Sequence, residues 1–219
     1  KRLPAGELEL ADGRAARVRP YCMDATEVTV AAYARCVEAG ACSAEKPACG
    51  PAAAWGQKGA ASPPLDCADR FEAVAVCRAH GKRLPTEEEF EWAARGAERA
   101  FPCPWGGAAP ADQVCWDGSG SAKGKGERKE TCPVAAHPRA RSPQGLDDLA
   151  GNVREWTASE KERFRVLRGG SWGDSLPEFL ASTFRGWNAP DERMELIGFR
   201  CVSEIGAQTK IPKRVVEKP

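Results

Sequence analysis

The chain has 219 residues, with 32 Lys and Arg against 31 Asp and Glu, and a formal net charge of +1. That balance excludes a global field for nucleic acid or an anionic membrane surface, so partner choice must be local. No run approaches the ~18 consecutive apolar residues of a membrane span, and 22 Gly with 17 Pro predict many turns around a core that seven Trp and seven Phe can seed.

This length suits one compact domain over residues 1–208, followed by a basic, proline-bounded tail at 209–219. In the first segment, LELADGRAARV reads as two strands around Asp12-Gly13. EVTVAAYARCVEAG predicts a helix with Thr29 as N-cap, Cys36 on its buried face and Gly40 at its end. Residues 41–66 show no sustained period. A second helix runs from Asp69 to His80, and RLPTEEEFEWAARG carries a capping box, Thr86 with Glu89, that predicts a third. GSGSAKGKGERKE reads as a surface loop flanked by Cys115 and Cys132. Strands follow in NVREWTAS, RVLRGGSW and GFRCVSE, with residues 173–196 as a long connection.

Ten cysteines, an even number with no C-x-x-C and only two histidines (His80 and His137), favour a disulfide framework over zinc. Such chemistry implies an extracytoplasmic setting: periplasm, cell surface or medium. Lys1 opens without an apolar run, so the chain reads as a mature fragment.

GLDDLAGNVREW, at 145–156, packs Asp147, Asp148 and Glu155 around Gly151, where a sharp turn can aim backbone carbonyls at one point. Hard oxygens so gathered suit calcium. The same residues also suit a turn whose acids face solvent and whose Trp156 anchors the core.

RLPTEEEFEWAARG, GLDDLAGNVREW, RVLRGGSW and IGFRC stand in this order, with EVTVAAYARCV ahead of them. The set resembles the formylglycine-generating enzyme family, also called the sulfatase-modifying-factor domain. The resemblance implies an α+β, C-type-lectin-like, disulfide-stapled fold that is loop-rich, with few helices and a small antiparallel sheet. The family holds copper-dependent oxidases, iron-dependent sulfoxide synthases and noncatalytic binding modules. Its oxidases bind copper through two cysteines soon after GGS, yet here no cysteine lies between Cys132 and Cys201, and Arg154 replaces a catalytic-site tryptophan. Its iron enzymes need three histidines. Neither copper nor iron is therefore expected.

The resemblance also implies one structural Ca²⁺ at Asp148, Gly151, Val153 and Glu155; a second is not expected, because Val114 offers no side-chain oxygen. It implies a Cys77–Cys201 bridge. Cys115 with Cys132 could close their loop, Cys36 and Cys42 could form a small ring, and the other pairings stay open. The function expected is a noncatalytic module contacting a protein or glycan at the cell envelope through Phe179, Arg185, Trp187 and Asn188. The alternative is a divergent oxygenase or other enzyme built on Ser171, Asp174 and Arg185.

Overall fold

The computed structural model describes residues 1–45, 49–57, 62–120, 126 and 128–205. The tail expected at 209–219, and residues 121–125 and 127 of the charged loop, lie outside the described residues.

The chain opens with β1 (Arg2–Leu3), then a hairpin of β2 (Gly6–Glu9) and β3 (Ala15–Val18), as Asp12-Gly13 predicts. Gly13 supplies the turn's positive φ of 81°. Next comes β4 (Tyr21–Met23), which lies between β1 and the last strand, β9 (Val202–Glu204), in an antiparallel sheet. The two ends of the described chain thus share one sheet.

Three short helices follow, each begun by the predicted side chain. Thr29 caps α1 (Val30–Glu38) by accepting from the Ala32 amide at 3.1 Å. Asp69 and Glu72 form a capping box on α2 (Arg70–Ala79), and Thr86 and Glu89 form one on α3 (Glu87–Ala94). Buried nearly all round, α3 places Phe90 and Trp92 against Leu3, Tyr21, Met23 and Val202. Its buried acids find arginines: Glu87 takes Arg14 and Arg185, Glu89 takes Arg83, and Glu91 takes Arg168 and Arg95. Without those partners the helix could not be buried so deeply.

The largest sheet has the order β7-β6-β5-β8, from β5 (Arg154–Lys161), β6 (Phe164–Arg168), β7 (Arg185–Asn188) and β8 (Ile197–Gly198). Its β5·β6 and β6·β7 pairs are antiparallel as expected; β8 joins β5 in parallel, so this sheet is mixed. β7 lies inside the stretch read as a connection. Trp156 on β5 is fully buried and donates through Nε1 to the Ala68 carbonyl at 2.8 Å, within a second core of Tyr33, Leu65, Val76, Leu84, Leu167 and Phe199.

Four disulfides staple the loops: Cys36–Cys42, Cys49–Cys67, Cys77–Cys201 and Cys115–Cys132. Three of them are the pairs named from the sequence. Cys22 and Cys103 stand outside the framework as free thiols. Few helices, small sheets and these staples make an α+β, loop-rich fold, and among the described residues no helix is long and apolar enough to cross a membrane.

Candidate functional site: a buried acidic turn and a closed arginine–aspartate contact

Asp148, Gly151 and Asn152 all take positive φ, at 55°, 83° and 59°, so the chain coils tightly between Leu149 and β5. At Gly151 a Cβ would come within 2.5 Å of the Cys115 carbonyl oxygen, so both conformation and space require glycine. Asn152 holds the surroundings together. Its amide donates to Cys115 O at 2.7 Å, its Oδ1 accepts from the Cys132 amide at 2.9 Å, and its carbonyl accepts from the Trp172 amide at 2.7 Å. The turn is thereby bound to the Cys115–Cys132 bridge on one side and to the GGSW turn on the other.

The acids point inward. Asp147, Asp148 and Glu155 are all buried, while Trp156 still anchors the core, so the turn unites a feature from each of its two sequence readings. Asp148 Oδ2 accepts from the Ala135 amide at 2.7 Å, and Asp147 Oδ1 accepts from Arg141 Nε at 2.7 Å. Glu155 is held by Arg200, whose Nε lies 3.0 and 2.8 Å from the two carboxylate oxygens and whose Nη2 lies 2.7 Å from Oε1. Arg200 Nη2 donates further to the carbonyls of Asp147 and Asp148, at 2.9 and 3.1 Å. This guanidinium is a tethered cation in a cage of oxygens.

One side chain that sequence reasoning passed over completes the group. Glu27, 2% exposed, has no hydrogen-bond partner for either carboxylate oxygen among the described residues. Burial, and then the neighbouring Asp148, push its carboxyl well above the usual range, against the pull of Arg200. Burial likewise raises Asp148 and Glu155. Three buried carboxyls thus face one guanidinium, and the surplus of acid and the orphaned Glu27 oxygens fit a hard cation. Asp148 and Glu155 of the expected ligand set share this neighbourhood, with Gly151 and Val153 between them on the same turn. The signal that could have found Arg200 was its place in IGFRCV, a charge inside an apolar run; Glu27, in DATEVT, carries no such mark.

The residues of the enzyme alternative lie across the turn. Asp174, 5% exposed, accepts through Oδ2 from the Ser171 amide at 2.6 Å and the Ser171 hydroxyl at 3.1 Å. Its other oxygen pairs with Arg154, the residue standing in the tryptophan position. The Arg154 guanidinium lies 5.7 and 5.6 Å from the rings of Phe179 and Phe184, which themselves meet edge-on at 5.3 Å. Gly170 lets this segment fold down, since a Cβ there would meet Phe179 O at 2.8 Å. Arg185 is elsewhere, paired with buried Glu87 at 2.5 and 3.1 Å. Among the described residues no hydrogen bond joins either histidine to Ser171.

Of the expected partner surface, Trp187 is 47% exposed with Lys161 Nζ 3.2 Å from its ring centre. Asn188, beside it on the edge strand β7, bonds to Met194 Sδ and its own neighbouring amide. Phe179 and Arg185 are half-buried and serve internal contacts. Cys115, Cys132 and His137 place their potential ligand atoms within 4.8 Å of one another, but the two sulfurs are spent on their disulfide and are not thiolate ligands.

A small mixed sheet, an inward-facing acidic turn and a GGS turn in contact define a lectin-like scaffold of one recognisable class. The chain belongs to the sulfatase-modifying factor enzyme 1-like domain family, whose model matches residues 2–205. It is 41% identical over 149 residues to the inactive C-alpha-formylglycine-generating enzyme 2 of Bos taurus, covering 62% of this chain and 48% of that protein. It is also 32% identical over 178 residues to the hercynine oxygenase of Mycolicibacterium thermoresistibile, covering 68% of this chain and 38% of that one. The chain therefore spans about half or less of these relatives' lengths. In fold it is similar to PvdO from Pseudomonas aeruginosa, with a TM-score of 0.72 and 24% identity over 93% of each chain.

Proposed function

We propose that this chain is a noncatalytic, extracytoplasmic binding or scaffold module of its family, contacting a protein or glycan at the cell envelope. The observation that carries the reading is the contact of Arg154, Asp174 and Ser171. An ion pair fills the ground beside the GGS turn, its guanidinium is roofed by Phe179 and Phe184, and its carboxylate is satisfied by Ser171. A carboxylate so engaged is neither a free base nor a free ligand. The sequence adds that no cysteine lies between Cys132 and Cys201 to hold copper. The similarity to an enzyme 2 named inactive supports the same view, and four disulfides support an oxidising compartment.

The surface offered to a partner is Trp187 and Asn188 on β7, which among the described residues is an edge strand of its sheet and carries the exposed Trp187 ring. No nucleic acid enters this reading, because a net charge of +1 provides no global field for it. Calcium is read as the structural ion of the acidic turn.

A second reading, a divergent oxygenase or other enzyme, draws on the similarity to hercynine oxygenase and on the Ser171–Asp174 contact. Incubation with a cysteine-containing peptide, oxygen and either Cu(I) or Fe(II), followed by mass spectrometry, separates the two. An unchanged peptide mass is expected; an aldehyde or sulfoxide product overturns the noncatalytic reading.

A further inference from the structure

Cys115, Cys132 and His137 bring two sulfurs and an imidazole to one place, and nothing in the binding-module reading uses that chemistry. Their potential ligand atoms lie within 4.8 Å of one another. A tetrahedral zinc ion, with bonds of about 2.3 Å to sulfur and about 2.1 Å to nitrogen, sets its donors roughly 3.5–3.8 Å apart. The three side chains already stand at that scale, and what keeps an ion out is the bond between the two sulfurs.

The surroundings hold both cysteines by more than that bond. The Cys115 carbonyl accepts from the Asn152 amide at 2.7 Å, and the Cys132 amide donates to Asn152 Oδ1 at 2.9 Å. Neither contact involves sulfur, so opening the bridge leaves both backbones fixed and lets side-chain rotation part the sulfurs. Arg128 Nη1 lies 2.8 Å from Cys132 Sγ, while its Nε donates to Trp116 O at 3.3 Å. A guanidinium so placed favours the thiolate once the bridge is open. Burial, and then Arg128, hold the His137 ring below its ordinary range, against the pull of Asp148. A neutral ring keeps the lone pair that a metal needs. Cys115 and Cys132 are buried and His137 half-buried, so the cluster is sheltered.

We propose that the Cys115–Cys132 bridge is a redox-gated zinc site: a dithiol reductant opens it, and Cys115, Cys132 and His137 then bind one Zn²⁺ with water as fourth ligand. The dithiol gives two electrons and two protons to the S–S bond and leaves as its own cyclic disulfide. Binding of Zn²⁺ then releases the two thiol protons, and the metal's oxidation state does not change. Two thiolates and an imidazole suit zinc, whereas calcium and magnesium take oxygen. The oxidised chain is stapled and closed to the ion; the dithiol chain exchanges the staple for a metal.

The test begins with the full chain reduced by a phosphine under argon, freed of reductant and titrated with Zn²⁺ against a chromophoric chelator, beside the same chain left oxidised. Alkylation and peptide mapping of a portion establish that Cys115 and Cys132 are open. Other bridges can open too, so the baseline is Cys115→Ser with Cys132→Ser, treated identically. Reduced wild type is expected to take one Zn²⁺ per chain more than this baseline, and oxidised wild type no more than it. His137→Asn keeps every sulfur and is expected, once reduced, to bind that extra zinc at least about tenfold more weakly. Zn²⁺ should also slow alkylation of Cys115 and Cys132 in wild type and not in His137→Asn. Should the double serine variant not fold, His137→Asn serves as the comparison by itself. Equal zinc uptake by reduced wild type and the baseline, wild-type affinity in His137→Asn, or a bridge that opens only when the chain unfolds would each overturn the proposal.

Discussion

A single substitution in a motif can be compensated far along the chain, and Arg154 is the case in point. A guanidinium at this half-buried position would be costly without an acid, and Asp174 supplies it from the loop after GGS. Removing Arg154 leaves a carboxylate of 5% exposure with only Ser171 for company. Arg154→Ala is therefore expected to cost about 1–3 kcal/mol in denaturant unfolding. The double variant with Asp174→Ala should lose clearly less than the sum of the two singles, since each single strands the other's charge. The oddity of Arg154 was legible in NVREW; its partner was not, because nothing in the sequence says how the 173–184 loop folds back. Asp66 offers a second test. Burial lifts its carboxyl to about 7 from an ordinary 3.8, although the Ala54 amide at 2.8 Å pulls it down. The folded chain then holds a proton that the unfolded chain releases, so this group's contribution to stability is present below pH ~4 and lost as pH rises to about 7. The slope is at most about 1.4 kcal/mol per pH unit. Asp66→Asn should flatten the fall in melting temperature between pH 5 and pH 8; a parallel fall in both proteins would refute the assignment.

At the level of elements, local chemistry and long-range contact divide the work. All three helices start at the residue their capping side chains marked, because a cap is a contact within four residues and is written in the sequence. Strand β7 was not marked. Its residues Arg185–Asn188 carry no alternating apolar run, and pairing with β6, from Arg165↔Asn188 to Arg168↔Arg185, makes them a strand. The burial of three glutamates on α3 was equally hidden, since EEEFEW does not show its partners: Arg83 comes from just ahead of the helix and Arg14, Arg168 and Arg185 from three other segments. The pairs differ in depth, and so should their variants. Glu91 and Arg168 are each 1% exposed, so Glu91→Ala leaves a buried guanidinium without its acid and is expected to cost about 3–5 kcal/mol. Thr86→Ala removes a cap alone and is expected to cost about 1 kcal/mol. Urea unfolding of the two variants checks the order; a Glu91 effect no larger than the Thr86 effect would mean that the acid is not the helix's anchor to β6.

Across the whole molecule, the disulfides decide how much chain each staple restrains. Cys36–Cys42 spans 6 residues and Cys77–Cys201 spans 124, the latter tying α2 to the segment entering β9, beside the sheet where β1 and β4 also lie. In the chain-entropy account a bridge stabilises by restricting the unfolded state, about 2 kcal/mol for the short loop and about 5 for the long one. Cys77 and Cys201 also sit in the second core, close to Arg200 and its oxygen cage, so their loss should loosen the acidic turn as well as the chain ends. The paired alanine variant at 77 and 201 is thus expected to lose more stability than the pair at 36 and 42, and to weaken Ca²⁺ binding where the shorter pair does not. The framework itself is open to a direct count. Denatured without reductant, the chain should take up two alkyl groups, at Cys22 and Cys103, and with reductant all ten. In the folded state Cys103 should label slowly, because burial raises its thiol to about 11 and keeps it from the reactive thiolate form at neutral pH. More than two labels without reductant would mean that one of the four bridges is not formed, and peptide mapping would identify which segment of the scaffold is free to move.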